Sequence, residues 1–366
     1  MKEESVDNKP QLIAAREAPA LSIGIQGWLR QRLFSTPLNS LITLLICYGI
    51  YLAVPPFWQW AVTDATWTAD GSAECVSDGA CWAFVNARLD QFIYGFYPDE
   101  LRWRVDLFFL QLGLVTAWLM APGLPGKKWV AGYGLVLMPF VSWGLLLGGF
   151  AGLEEVETHQ WGGLMLTLLL ALCGMIASFP VGVVLALGRR SKMPVIRTFC
   201  TTYIEIWRGV PLITVLFMAS VMLPLFVPEE MVFDKLLRAL VGIVMFQSAY
   251  MAEVVRGGLQ AIPKGQFEAF ESLGLGYWQG MYKIVLPQAI RLVIPGIVNT
   301  FIALFKDTSL VLIIGLFDLL AIVQAGLNDP LWLGNSVEGY LFAGAVFWVF
   351  CFGMSRYSQR LERQLN

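Results

Sequence analysis

Apolar runs of membrane length decide what this chain can fold into. About eight of them recur along the 366 residues. They fall at about 37–57, 105–121, 129–150, 161–188, 210–227, 236–256, 288–305 and 338–355. A bilayer core takes about 20 helical residues to cross, and these runs come close to that length. The pattern specifies an all-α, polytopic membrane protein with about eight transmembrane helices. Charged residues make up 14% of the chain and hydrophobic ones 57%. A soluble domain carries about 25% charged residues.

Several function classes drop out early. No stretch reads G-x-x-x-x-G-K-[ST], the loop that cradles nucleotide phosphates. The chain is therefore expected to bind no cofactor and to split no ATP itself. A single histidine and six scattered cysteines give no metal-ligand spacing. Nothing points to nucleic acid, and membrane lipid is the one partner that composition demands.

The polar connectors differ in character. Residues 1–36 are polar, carry Arg30 and Arg32 just before the first run, and show no small-residue cleavage site of a removable signal peptide. Residues 58–104 form a long, acidic, aromatic-rich insert in which Cys75 and Cys81 bracket five residues. Outside the cytoplasm that pair is free to form a disulfide. Two free thiols are the other option, since spacing does not establish geometry. His159, in an acidic connector, reads as a solvated loop residue. A shorter run, 309–323, contains Asp318 and reads as a helix lying at, or dipping into, the outer surface.

Charge sets the orientation. With residue 1 inside and eight crossings, most of the 25 Lys and Arg fall on the inner side and most of the 27 Asp and Glu on the outer side. The short loops agree, as the positive-inside rule requires. Both termini and the connector at 263–287 are then cytoplasmic.

That connector is the long polar break in the apolar second half. Phe267, Phe270 and Leu273 fall on one side of a short helix, Gly274-Leu275-Gly276 interrupts it, and Trp278, Met281, Tyr282 and Val285 fall on one side of a second. Two amphipathic helices too short to cross need another surface, either a groove on a partner protein or the lipid interface. The letters run Glu268-Ala269-Phe270, three residues, Gly274, nine residues, Ile284, one residue, Leu286-Pro287. This resembles the EAA loop of permease subunits in binding-protein-dependent ABC importers, with Phe270 in place of the second alanine.

Three further stretches resemble the polar amino-acid (histidine/glutamine-type) branch of those permeases. They are TYIEIWRGVPL at 202–212, YMAEVVRGGLQAIP at 250–263 and LFKDTSL at 304–310. The resemblance covers 161–366, a five-helix type I ABC importer permease core. Residues 1–160, with three extra helices and the insert, look like the extension of the M-type permease of the general L-amino-acid transport system.

The resemblance implies a bacterial inner-membrane subunit that pairs with a second, Q-type permease. Two ATPase copies, using ATP and Mg, would sit beneath, and a periplasmic amino-acid-binding protein would deliver substrate. Glu268, Ala269, Gly274, Ile284, Leu286 and Pro287 would carry the coupling to the ATPase. Glu205 with Arg208, and Glu253 with Arg256, are each three apart on a helix and suit either interfacial anchoring or a gate. Gln247 and Asn299, polar within spans, suit either helix–helix hydrogen bonds or a pathway. Lys306 and Asp307 would line the outer mouth. An ion-coupled secondary transporter would show inverted repeats and mid-span charges, and neither stands out. A membrane-anchored scaffold or receptor would not need the EAA-like spacing.

Overall fold

The computed structural model describes residues 24–75, 78–121, 123–150, 152–226, 228 and 233–365. Most of the polar N-terminal stretch, with its expected uncleaved start, lies outside the described residues. Among the described residues seven helices are long and apolar enough to cross a membrane, and one bent pair makes an eighth. The chain divides into two compact units, residues 1–66 with 76–80, and 67–75 with 81–366.

The first unit holds α1 (Gly24–Arg32) and α2 (Pro37–Trp58). The Thr36 hydroxyl accepts from Asn39 N at 3.1 Å, and Pro37 suits the first turn because it has no amide hydrogen to orphan. No residue of α2 is buried. A helix apolar on every side and covered on none is built to meet lipid.

The second unit begins where the sequence suggested only an insert. That insert contains α3 (Ala83–Tyr94), whose Phe84 and Phe92 are fully buried. Cys75 is bonded to Cys81, with Cα atoms 5.6 Å apart. Then come α4 (Arg102–Met120), α5 (Lys127–Gly132) and α6 (Met138–Leu147), the last two joined through a π turn into one span.

The core follows. α7 (Gly163–Arg189) is a long, half-buried span. α8 (Pro194–Gly209) and α9 (Leu212–Phe217) meet at 103°. Pro211, which cannot continue α8, sits at the corner. Within the run read as a span at about 210–227, residues 212–225 are thus α9, a π turn and a short 3-10 turn, with α8 folded away from them. α10 (Lys235–Ala261) packs along α7, and α11 (Lys264–Ser272) and α12 (Tyr277–Gly280) follow. α13 (Leu286–Asp307) packs on α10 and on α15 (Ser336–Leu365).

Between α13 and α15 the expectation of a single surface helix is corrected. Residues 308–314 form a 3-10 turn, and Gly315 turns left-handed at φ +73°. A two-residue strand, β1 (Phe317–Asp318), then leads into α14 (Leu319–Leu327). Asp318 marks no surface. It is fully buried and caps α14, accepting from Leu320 N at 3.2 Å and Ala321 N at 3.0 Å. α14 lies within the protein because α3, α7 and α15 pack around it.

Backbone bridges lock this end, called here the insert end. Gly95 pairs with Trp161, Gly162 with Phe317 and Gly163 with Asp318. Glu338 accepts from Cys81 N at 3.0 Å, and Arg88 pairs with Asp329. The opposite end of the same unit carries α11, α12 and the α7–α8 turn.

Candidate functional site

The connector at 263–287 folds as an elbow rather than as two separate short helices. α11 ends at Ser272, and Gly274 turns left-handed at φ +71° with nothing within 4 Å of where a Cβ would stand. A residue with a Cβ pays about 1–2 kcal/mol for that conformation, so glycine belongs there. α12 does not stop. It runs through a π turn, Met281–Val285, into α13, with Pro287 in the first turn of α13.

This continuity corrects the two expected apolar faces. Met281 and Val285 point inward and are buried, while Trp278 and Tyr282 are about three-quarters exposed, at 70% and 76%. The π turn is wider than an α turn, so residues that share a face in an ideal helix separate here. Phe270 of α11 is buried, and Leu273, just past its end, is exposed. The Phe270 ring lies over Gly280, where a Cβ would come within 2.3 Å of it. The bulky residue standing at the second alanine is thus turned into the elbow, and Gly280 makes the room. Gln288 ties the two limbs, donating to Gln266 Oε1 at 3.1 Å and to Ile284 O at 2.9 Å.

What the elbow leaves outside is compact. Glu268, Ala269, Gly274 and Pro287 are exposed, and Ile284 and Leu286 are half-buried at the foot of α13. The six residues therefore form an outward set (Glu268, Ala269, Gly274, Pro287) and a set rooted in the bundle (Ile284, Leu286).

Beside the elbow, α7, α8 and α10 bring an ionic cluster together. Glu253, only 16% exposed at its side chain, accepts from Arg256 at 2.8 and 3.0 Å and from Arg189 at 2.5 Å, with Arg208 at 3.7 Å. Arg189 also donates to Glu205 at 2.9 Å. The expected Glu253–Arg256 pair is present. The expected Glu205–Arg208 pair is not formed, because Arg189 takes Glu205 and Arg208 turns toward Glu253 and the Tyr250 ring. Sequence reasoning missed Arg189, whose partners lie 16 and 64 positions away. The only available signal was a cation at the end of a long apolar run.

Of the polar span residues, Gln247 is buried and donates to Thr300 O at 2.7 Å, so it ties α10 to α13. Interhelical hydrogen bonds of this kind are worth about 0.6–2 kcal/mol in a membrane. Asn299 is exposed on α13 and is not part of that bond. Lys306 is exposed and Asp307 half-buried at the last turn of α13, at the end opposite the elbow.

The chain is similar to known proteins. Residues 178–366 match the family described as binding-protein-dependent transport system inner membrane component. The chain is 55% identical to the inner membrane amino-acid ABC transporter permease protein YhdY of Escherichia coli K12, over 93% of this chain and 92% of that one. It is 36% identical to the glutamate/glutamine/aspartate/asparagine transport system permease protein BztC of Rhodobacter capsulatus, over 98% of each. A solved amino acid ABC transporter with histidines is 30% identical over 55% of this chain and 92% of that one, with a TM-score of 0.48.

Proposed function

The chain belongs to the family of binding-protein-dependent transport system inner membrane components, and on that premise we propose that it is the permease subunit through which an ATP-driven importer carries L-amino acids across a bacterial inner membrane. It is a transport subunit, and ATP hydrolysis belongs to a separate chain. The observation that carries the reading is the elbow, a protruding joint whose outer face is open and whose inner face is rooted in α13.

The elbow end faces the cytoplasm, with both chain termini, and the insert end faces out. Basic residues gather at the elbow end, as the positive-inside rule asks. A pair of ATPase subunits, using ATP and Mg, grips the elbow from below. Glu268 offers a carboxylate to a cation or amide on that partner, worth little by itself at an exposed contact. Ala269 keeps the contact slim, and Gly274 supplies the bend. Met281 and Val285, buried under α13, make the elbow move as one body with that helix.

The push then reaches the gate. α13 is tied to α10 by Gln247, and α10 carries Glu253. Rotation of α7 and α8 against α10 changes which arginines Glu253 holds, and the inner passage opens or closes with that exchange. A second, Q-type permease completes the pathway. A periplasmic amino-acid-binding protein delivers substrate at the insert end, near Lys306 and Asp307.

Reconstitution tests the reading. The chain, purified with the subunits it retains, is expected to take up L-amino acids only when ATP is present on the ATPase side. Uptake that follows an ion gradient without ATP would mean a secondary transporter. Association with an ATPase chain is expected to vanish when residues 263–287 are exchanged for a neutral linker.

A further inference from the structure

A cavity of about 440 Å³ opens beside the ionic cluster, walled by the ends of α7 and α10 and by one face of α8. Its lining is cationic and hydroxylic: Arg189, Arg190, Arg197, Arg256, Thr201 and Thr202 are the groups that matter. Arg189 and Arg256 are committed to Glu253. Arg190 donates to Leu259 O at 2.8 Å and lies over the Phe267 ring. Among the described residues, the Arg197 guanidinium and the Thr201 and Thr202 hydroxyls make no hydrogen bond to another protein group, and Arg197 and Thr202 are exposed. A helical threonine commonly bonds back to the carbonyl one turn earlier, and these two do not.

The helix that carries them has a second property. Val195, Phe199 and Ile206 form one stripe along α8, at 81%, 66% and 54% exposure. α8 starts beside the elbow end of α10, where Arg190 bonds Leu259 O, and reaches mid-α10, where Tyr203 Oη donates to Met245 O at 3.1 Å, so it rises from that end as the first limb of the bent span. On such a limb the exposed stripe meets acyl chains, while the arginines at its elbow-end start sit at the depth of the headgroups. The stripe and the cavity are neighbouring faces of the same helix. Basic pockets between membrane helices on the cytoplasmic side suit anionic lipid headgroups, and guanidinium groups match phosphate in a bidentate way.

We propose that this cavity binds the phosphate of an anionic phospholipid of the inner leaflet, with Arg197 as the free cation, the Thr201 and Thr202 hydroxyls as donors, and the acyl chains lying along Val195 and Phe199. The leaflet, though not the phosphate chemistry, rests on the orientation proposed above. A lipid seated there touches α7, α8 and α10 together and so sits against the groups that hold Glu253.

The test uses the full chain in detergent micelles, with retained lipid counted by native mass spectrometry after titration with phosphatidylglycerol or phosphatidylcholine. Phosphatidylglycerol is expected to be held at least about fivefold better. Arg197→Gln is expected to lower that retention about tenfold, and the doubly substituted Thr201→Val, Thr202→Val chain severalfold. The valines keep the volume and remove only hydroxyls that the protein does not use, so they spare the fold should Arg197→Gln disturb it. Equal retention of the two lipids, or undiminished retention in the valine variant, overturns the proposal. Displacement by millimolar inorganic phosphate shows a free anion to be the ligand and overturns the lipid assignment. Uptake does not enter the readout, so ATP-driven import without lipid selectivity sinks this inference alone, and lipid selectivity without ATP-driven import sinks the importer reading alone.

Discussion

The two ends of the second unit are built from different materials. The insert end is closed by backbone bridges, a disulfide and an aromatic core in which Phe84, Phe92 and Trp332 are almost fully buried. The elbow end is held by three arginines and two glutamates from three helices, several half-exposed, and by a joint with an open face. Close-packed apolar contacts have one good arrangement and lose energy when displaced. Ion pairs within reach of several partners have more than one. The contrast assigns rigidity to the insert end and exchange to the elbow end.

Substitutions can break that contrast or sharpen it. The largest loss of stability is expected at the insert end. Phe92→Ala removes a ring 5.7 Å from Phe84 and 5.3 Å from Phe342 and should cost about 3–5 kcal/mol, read as a lower melting temperature in micelles. The protein that remains folded should still spend the same ATP per amino acid moved. Glu253→Gln comes next, at about 3 kcal/mol, because it leaves Arg189, Arg208 and Arg256 around an uncharged group. Here the melting temperature and the ATP spent per amino acid should both change.

Smaller effects follow. Replacing Cys75 and Cys81 by serine, six positions apart, should cost about 2 kcal/mol by the entropy of a short closed loop, seen as a shift in the melting curve equal to that given by reductant on the parent chain. Gly280→Val should cost about 1–3 kcal/mol by driving a side chain into the Phe270 ring. In a Phe270→Ala background, itself costly because that ring is buried, the added cost of Gly280→Val should largely vanish, which a double-mutant cycle measures. The smallest change belongs to Glu205→Gln, exposed and, among the described residues, paired with Arg189 alone. It should stay below about 1 kcal/mol.

Much of the fold could be read from the chain because hydrophobic runs of bilayer length have few alternatives. The seven long helices and the bent pair follow from them, and the 263–287 motif is local in sequence. What stayed illegible depends on partners far apart in the chain. α3 is too short and mixed to stand out, and its burial comes from α7, α14 and α15. Asp318 looked like a surface residue because a carboxylate is costly inside, yet two backbone amides satisfy it as a cap. Arg189 could not be matched to Glu253 from spacing, and Phe270 could not be matched to Gly280 without knowing how the elbow closes.

The role of the elbow is tested most directly by one ratio, ATP hydrolysed per amino acid taken up, in vesicles holding the chain with its retained partners. Gly274→Val forces a branched side chain into a left-handed turn at φ +71° and leaves the buried contacts of Met281 and Val285 alone. Uptake is expected to fall at least about tenfold while hydrolysis persists, so the ratio rises, with Phe92→Ala leaving it unchanged. A ratio unaltered by Gly274→Val, at full uptake, would contradict the elbow as the joint that carries the motion.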